Sequence, residues 1–356
     1  MKVDLARLAH ALAAIIEAIG SAPAEAGVVA RHLVDAHLKG HESHSIAMLP
    51  AYAGCVGAGS LRPNRGGRIL RDDGAFLLID GELGYGQRVA RDWTGHAIER
   101  ARAAGVCVIG IRAAHHMGRI GAYAEQCLAA GMAALMFVNV IGRPLVAPHG
   151  GASARLGTNP VCIGIPGGDA PDLLLDFATS GIAAGKARVA WRRGAPVAPG
   201  FLLDAGGQPT TDPAVMYRTP QGALLPLGGE AGHKGFGLAL VAEVLAGIVA
   251  GGGTMAERDA ALAGTSNSLF GVVFDPARLR DGSSPLPSLA ALIEYLRGGD
   301  RVAPDSLLMP GEPERALAAQ GAHAMPVDAE VWQALLNLAE TFGLSRAPLV
   351  SALIDA

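Results

Sequence analysis

A chain of 356 residues exceeds the roughly 250–300 at which a single hydrophobic core stops growing, so more than one lobe is expected. A formal charge of −3 with 17% charged residues leaves no basic excess to hold a nucleic-acid backbone or an anionic membrane. No apolar run approaches the ~20 residues of a membrane span, the amino terminus is amphipathic rather than an export signal, and Cys55, Cys107, Cys127 and Cys162 lack CxxC pairing, as in a soluble cytoplasmic protein.

Leu5, Leu8, Leu12, Ile15 and Ile19 recur at helical spacing and Gly20 ends the pattern, which predicts a first helix over 4–19. A second helix starts at Pro23 and stops at Gly40. The loop "GHESHS" follows, then a third helix through Leu49, Tyr52 and Val56, so residues 1–70 are expected to be an all-helical domain. From Phe76 short β-rich runs alternate with helices: "FLLID", a helix over 87–104, "VCVIGI", a helix over 119–130, "MAALMFVNV", then "VCIGIP" and "LLLDFA". The long loop 141–160 between them is suspected of function on its length alone. Residues 194–230 show little periodicity and read as an extended arm. "GHKGFGLALVAEVLAGIVAG" becomes an almost wholly apolar helix that must be buried between lobes or between subunits. After "SLFGVVFD", helices over 281–356 are expected to return to the amino-terminal domain, leaving 71–280 as a sheet domain.

Two histidine sites carry the chemistry. His44 and His116 both lie in loops at element ends, and imidazole is the commonest side chain for moving a proton to or from an alcohol oxygen. For either residue alone an ordinary structural hydrogen bond is the simpler reading. The histidines match no metal-ligand spacing, so no metal is expected, and no G-x-S-x-G elbow supports a serine hydrolase. "GGEAGHKGFG" could cradle an anion with Lys234 as a point charge, or could serve only to let a helix pack closely. No G-x-G-x-x-G follows a strand, so a Rossmann site is not supported.

The motifs "GHESHSIAMLPAY", "HHMGRIGAYAEQ", "APHGGASARLGTNP", "LLLDFATS", "DAGGQPTTDP", "GHKGFGLAL" and "PGEPE" together resemble the malate/L-lactate dehydrogenase family, in the family's order and over nearly the whole chain. "GH-SH--MLP-Y" and "HH-GR-G" are most similar to its hydroxycarboxylate dehydrogenase B branch. The resemblance implies an α+β homodimer: a helical lobe plus a mixed-sheet lobe that binds NAD or NADP without a Rossmann fold. It implies hydride transfer between NAD(P)H and a 2-oxo acid. Cofactor contacts are implied for His44, Gly118, Arg119, Ile120, Leu175, Asp176, Phe177, Ala178, Thr179, His233, Lys234, Asn267, Gly311 and Glu312. His44 and His116 become the candidate proton donors, with Asp176 orienting an imidazole and Ser43 beside them. Met48, Tyr52 and Arg119 would face the substrate. Much of the family reads "SHG--R" where this chain has Ser45 and Met48. Methionine cannot grip a carboxylate bidentately, which favours a bulky substrate such as an aryl pyruvate, and serine would be strained if position 45 needs positive φ. Alternatives are reduction of a cyclic imino acid, or a degenerate member that binds a dinucleotide without turnover.

Overall fold

The computed structural model describes residues 1–259, 263–279, 288–300, 302–303, 307–321 and 324–354. Leu8, Leu12, Ile15 and Ile16 share one face of α1 (Leu5–Ala18), whose N-cap Asp4 accepts from the Arg7 N–H. They are buried with Val29, Ala30 and Leu33 of α2 (Pro23–Leu38), with Leu49 and Tyr52 of α3 (Leu49–Gly57), and with Trp332, Leu335 and Ala339 from a helix near the carboxy terminus. This lobe is not all helix. A short strand β1 (Lys2–Asp4) lies antiparallel between Ala324–Pro326 and Leu353–Ile354. Three residues are too few for alternation to be read from sequence.

The second core is built on a sheet. Along the chain run β2 (Arg68–Asp73), β3 (Phe76–Asp80), α4 (Gly86–Ala104), β4 (Val106–His115), α5 (Gly121–Ala129), β5 (Ala133–Ile141), β6 (Val161–Ile165), β7 (Leu173–Phe177) and α6 (Ala184–Arg192). A small antiparallel sheet of β8 (Leu202–Leu203), β9 (Pro209–Thr210) and β10 (Ala223–Leu224) comes next, then α7 (Gly232–Glu243) and β11 (Ser266–Phe274). The large sheet has the order β2-β3-β4-β11-β5-β6-β7. Its β3–β4 pair is parallel and its other pairs are antiparallel, so it is a mixed sheet as expected. Ile109 and Ile111 of β4 bury against Val89 and Ala97 of α4. Gly110, between them, points to the other face, where a Cβ would meet Ala250 at 3.1 Å.

That other face is covered by α7 and the π-helical turn Val244–Val249 that continues it. Gly229–Val249 is long and apolar enough to cross a membrane by length and composition, contrary to the expectation that no such run exists. It lies on the sheet instead. Glu243, buried in its middle, accepts from Asn159 Nδ2 (2.8 Å) and from the Met255 N–H (2.6 Å), which anchors the helix to protein groups.

Residues 194–230 are more than an arm. Val197, Leu202, Val215, Met216 and Leu224 form a third core with Val146 and with Ala187 of α6. Strands of two residues carry no period, which is why the sequence shows none. The expected return of 281–356 to the helical lobe also needs correcting, and its boundary at 280/281 lies outside the described residues. Ser288, the N-cap of α8 (Leu289–Arg297), bonds Asp169, and α9 (Glu312–Gln320) is tied by Arg315 Nη1 to the Asp172 carbonyl at 3.0 Å. Both therefore sit along the β6–β7 edge. Among the described residues β12 (Ala324–Pro326), α10 (Ala329–Thr341), α11 (Ala347–Val350) and β13 (Leu353–Ile354) join the first core, while α9 also meets the end of α2 through Leu317 at Gly40 and Glu314 at His41 (3.6 Å). Cys55, Cys107, Cys127 and Cys162 are buried free thiols.

Candidate active site

Where β4 runs out, the chain is held in a conformation it would not adopt alone. Ala113 has φ 52° and Gly118 φ 71°. A Cβ on Gly118 would lie 2.3 Å from His32 Nε2, so only glycine fits. A non-glycine residue in this region costs about 1–3 kcal/mol and persists only when its surroundings fix it. Here they do: the Ala113 N–H donates to Ser268 Oγ (3.2 Å), the Met117 N–H to Asn267 Oδ1 (2.9 Å), and the Arg119 N–H to His32 Nε2 (3.0 Å). His116 is thereby set rigidly between two tethered residues.

His44 arrives from the other lobe. It ends a one-turn 3-10 helix, Glu42–His44, and its ring stacks on that of His116 with centroids 5.2 Å apart and planes 22° from parallel. Ser43 Oγ lies 2.8 Å from His44 Nδ1. Gly185 of α6 presses on this loop, since a Cβ there would fall 2.3 Å from Ser43 Cβ. Ser45 brings no strain: its backbone is extended, with φ −97°, and its hydroxyl donates to the Glu42 carbonyl at 2.8 Å. The position does not require glycine.

Behind the pair, the Tyr52 hydroxyl lies 2.6 Å from His116 Nδ1 and accepts from Gln87 Nε2 at 2.7 Å. Asp176 does not orient an imidazole as the motif comparison implied. Its Oδ2 accepts from the Gly121 N–H (2.7 Å) at the start of α5, whose dipole favours a carboxylate there. Burial nevertheless raises its pKa, against the opposing pull of Arg119. Burial lowers the histidines in turn: His44 to about 4, with His41 and Arg188 adding to it, His32 to about 3, and His116 well below its usual value. His32, His44 and His116 are thereby held as neutral imidazoles at pH 7.

His44, Gly118, Arg119, Ile120, Asp176, Phe177 and Ala178 line a cleft of about 840 Å³, with Ser43 at its edge. Arg119 is 2% exposed, and its Nη2 bonds Glu125 and reaches Asp35 at 3.4 Å. Its Nε and Nη1 have no partner among the described residues, which is costly for a buried cation unless a ligand completes it. Other predicted residues stand apart from the lining, His116 and Tyr52 among them: His116 adjoins the cleft through its stacked contact with His44. Asn267 is spent on the Met117 tether, Thr179 Oγ1 donates to the Thr158 and Asn159 carbonyls, and Leu175 points outward, 41% exposed. Glu312 accepts from the Met309 N–H, and Gly311 precedes it at φ 86°. Exposed His233, in ring contact with His149, and Lys234 begin α7. Met48 packs on the helical core beside Tyr52.

The sequence reading missed Lys39, His41, Lys186, Arg193 and Glu314, which also line the cleft. The helical period of "AAGKARVAW" in α6 was the available signal for Lys186. Among the described residues no three His, Cys, Asp or Glu side chains group as metal ligands.

Comparison with known proteins by family model, sequence and structure points to one family. The family model for malate/L-lactate dehydrogenase matches residues 3–336. Hydroxycarboxylate dehydrogenase B of Escherichia coli K12 is 38% identical over 98% of this chain and 96% of its own length. An L-lactate dehydrogenase of Cupriavidus necator is 39% identical over 97% and 99%. A solved E. coli chain described as a malate/lactate dehydrogenase superposes with a TM-score of 0.93 at 36% identity, covering 99% of this chain and 98% of that one.

Proposed function

Because the chain belongs to the malate/L-lactate dehydrogenase family, we propose that it reduces 2-oxo acids to 2-hydroxy acids with NADH or NADPH as hydride source. The observation that carries this reading is a stacked histidine pair beside a buried guanidinium with two unpartnered nitrogens, which unites a proton-transfer group with an anion hold. A dinucleotide fits the residues present. The cleft volume lies within the roughly 300–1,000 Å³ of small-molecule sites. The two unpartnered nitrogens of buried Arg119 face no acceptor among the described residues, which suits an anionic group of such a ligand. His44, the Gly118–Ile120 backbone, Asp176–Ala178 and the start of α9 would hold it. When bound, the nicotinamide supplies the hydride. The protein's part is to fix the oxo acid by its carboxylate through Arg119, to exclude water between the lobes, and to place an imidazole N–H at the substrate oxygen.

Three finer points belong to the same reading. The absence of G-x-G-x-x-G after a strand, and the one parallel pair in the large sheet among the described residues, argue against a Rossmann unit. Met48 packs on the helical core and supplies no carboxylate grip where much of the family has arginine, which favours an aryl 2-oxo acid over malate with its second carboxylate. The buried thiols suit a reducing cytoplasm. A substrate panel with both reduced nucleotides decides the reading. Turnover of aryl pyruvates ahead of pyruvate and oxaloacetate is expected. Turnover of a cyclic imino acid alone would replace the oxo-acid reading, and tight nucleotide binding with no turnover would mean a degenerate member.

The outer face of α7 and its π turn exposes Leu240, Val241, Ile248 and Val249, the last two 63% and 62% exposed. Contiguous apolar surface of this kind marks a subunit contact, and a homodimer is the expected assembly. Light scattering should give twice the mass of the chain, and Ile248→Asp with Val249→Asp should shift it to one. A parent protein that is monomeric and active at micromolar concentration would refute the dimer.

A further inference from the structure

Gln87 belongs to no motif singled out above, yet it is 0% exposed and stands one bond behind the histidine pair. Its place is set by close packing: a Cβ on Gly86 would lie 2.3 Å from the His115 carbonyl oxygen and 2.6 Å from that of His116, so the start of α4 rests directly on the His115–His116 backbone. From there Gln87 Nε2 donates to the Tyr52 oxygen at 2.7 Å. His116 Nδ1, 2.6 Å away, is the acceptor within reach of the Tyr52 O–H among the described residues, and a proton on Nδ1 would leave that buried hydroxyl hydrogen without one. Gln87 Oε1 has no partner among the described residues in this arrangement. The reverse amide orientation would instead strand a buried NH₂ with two donors, and orphaned buried donors are rarer than under-satisfied carbonyl oxygens. An Nδ1 that accepts a hydrogen bond cannot carry the proton of a neutral ring, which must then sit on Nε2.

We propose that Gln87 is a positioning residue that, through the Tyr52 hydroxyl, holds His116 as the Nε2–H tautomer and so makes His116 the proton donor to the substrate oxygen. The proposal rests on the oxo-acid reading for its substrate, though not for the tautomer. As the carbonyl oxygen becomes an alkoxide, the Nε2–H bond breaks and an O–H bond forms on the substrate. The Tyr52 proton moves to Nδ1, so the imidazole stays neutral and the phenolate still accepts from Gln87; after product leaves, Nε2 takes a proton from water entering the cleft as the Nδ1 proton returns to Tyr52, which restores the phenol and the Nε2–H tautomer. Burial raises the Tyr52 pKa far above that of an ordinary phenol and towards that of an alcohol, so the transfer is not strongly downhill to a trapped phenolate. The groups facing the relay are His32, His44, His115, Tyr85, Tyr123 and Cys55. Burial depresses the three histidines and raises the two tyrosines, so none of these five adds a charge near neutrality.

The tautomer is read directly from ¹⁵N chemical shifts of histidine-labelled protein without substrate, assigned by loss of the His116 signals in His116→Asn. Nε2–H is expected in the parent, and Nδ1–H there would overturn the proposal. Gln87→Leu removes the donor and should release the tautomer while lowering kcat about 10–100-fold, the usual cost of losing an orienting partner. Gln87→Glu has the same shape but donates only when its carboxyl is protonated. Its kcat relative to the parent should therefore fall as pH rises through the titration of that carboxyl, a pattern that a purely structural role would not produce. If both variants keep the parent tautomer and a kcat ratio independent of pH, Gln87 does not act through His116. If no oxo acid is turned over but Gln87→Leu still releases the tautomer, the function reading fails alone.

Discussion

Replacement of His116 by asparagine is expected to lower kcat by about 10²–10⁴-fold, the contribution typical of a positioned acid–base group. His44→Asn should act mainly on KM and on nucleotide affinity. The distinction rests on what each ring is bonded to. His116 Nδ1 faces a hydroxyl that is itself held by a buried amide, so its donor nitrogen is defined. His44 Nδ1 has the Ser43 hydroxyl at 2.8 Å, and its ring forms part of the cleft wall. On sequence alone His44 looks the stronger donor, because Asp176 is expected to orient it. With Asp176 engaged by the Gly121 N–H, that argument lapses. A loss confined to KM removes binding shared by ground and transition states, whereas an equal fall in kcat and kcat/KM removes an interaction made at the transition state. Steady-state kinetics of both variants separates the roles. If His44→Asn produced the larger fall in kcat while His116→Asn left it within about threefold of the parent, the assignment would be reversed, and small effects from both would remove the histidines from the chemistry.

The sequence revealed what periodicity and local chemistry encode. Leu8, Leu12 and Ile15 announce α1 by spacing, and the strands from "FLLID" to "LLLDF" fall within a few residues of where their apolar runs place them. β1 and the two-residue strands β8 to β10 owe their pairing to distant partners such as Met325 and Leu224, so nothing local marks them. The site divides the same way. His44 and His116 could be nominated because loop histidines are chemically conspicuous. Gln87 could not, because an amide on a helix reads as surface until the fold buries it against Tyr52. Asp176 lines the cleft, but its bond to the Gly121 N–H could not be read, since a backbone group is displayed by no motif.

Acid should unfold this protein well before its carboxylates titrate. His32, His44 and His115 have pKa values of about 3, 4 and 4 in the folded chain against 6.5 in the unfolded one, and that of His116 is likewise depressed. Burial is the leading cause for each, and His115 is 3% exposed with neither ring nitrogen bonded among the described residues. Between pH 6.5 and 4 the unfolded chain therefore binds protons that the folded chain refuses. Stability is then full above about pH 6.5 and declines as pH falls through this window. Each such group costs about 1.4 kcal/mol per pH unit, so even two of the four remove about 4 kcal/mol over about one and a half units, a large part of a typical 5–15 kcal/mol. Asp176 opposes the trend, because its raised pKa lets the folded state bind a proton first, but it is one group against four. Urea unfolding at pH 7.5 and pH 5 should show the midpoint falling sharply. His115→Gln is the sharpest control, since that ring makes no hydrogen bond that the change would break and its loss should flatten the dependence by about one proton. A midpoint that stays level from pH 7.5 to 5 would mean that water reaches these rings and that the site does not hold its histidines neutral by burial.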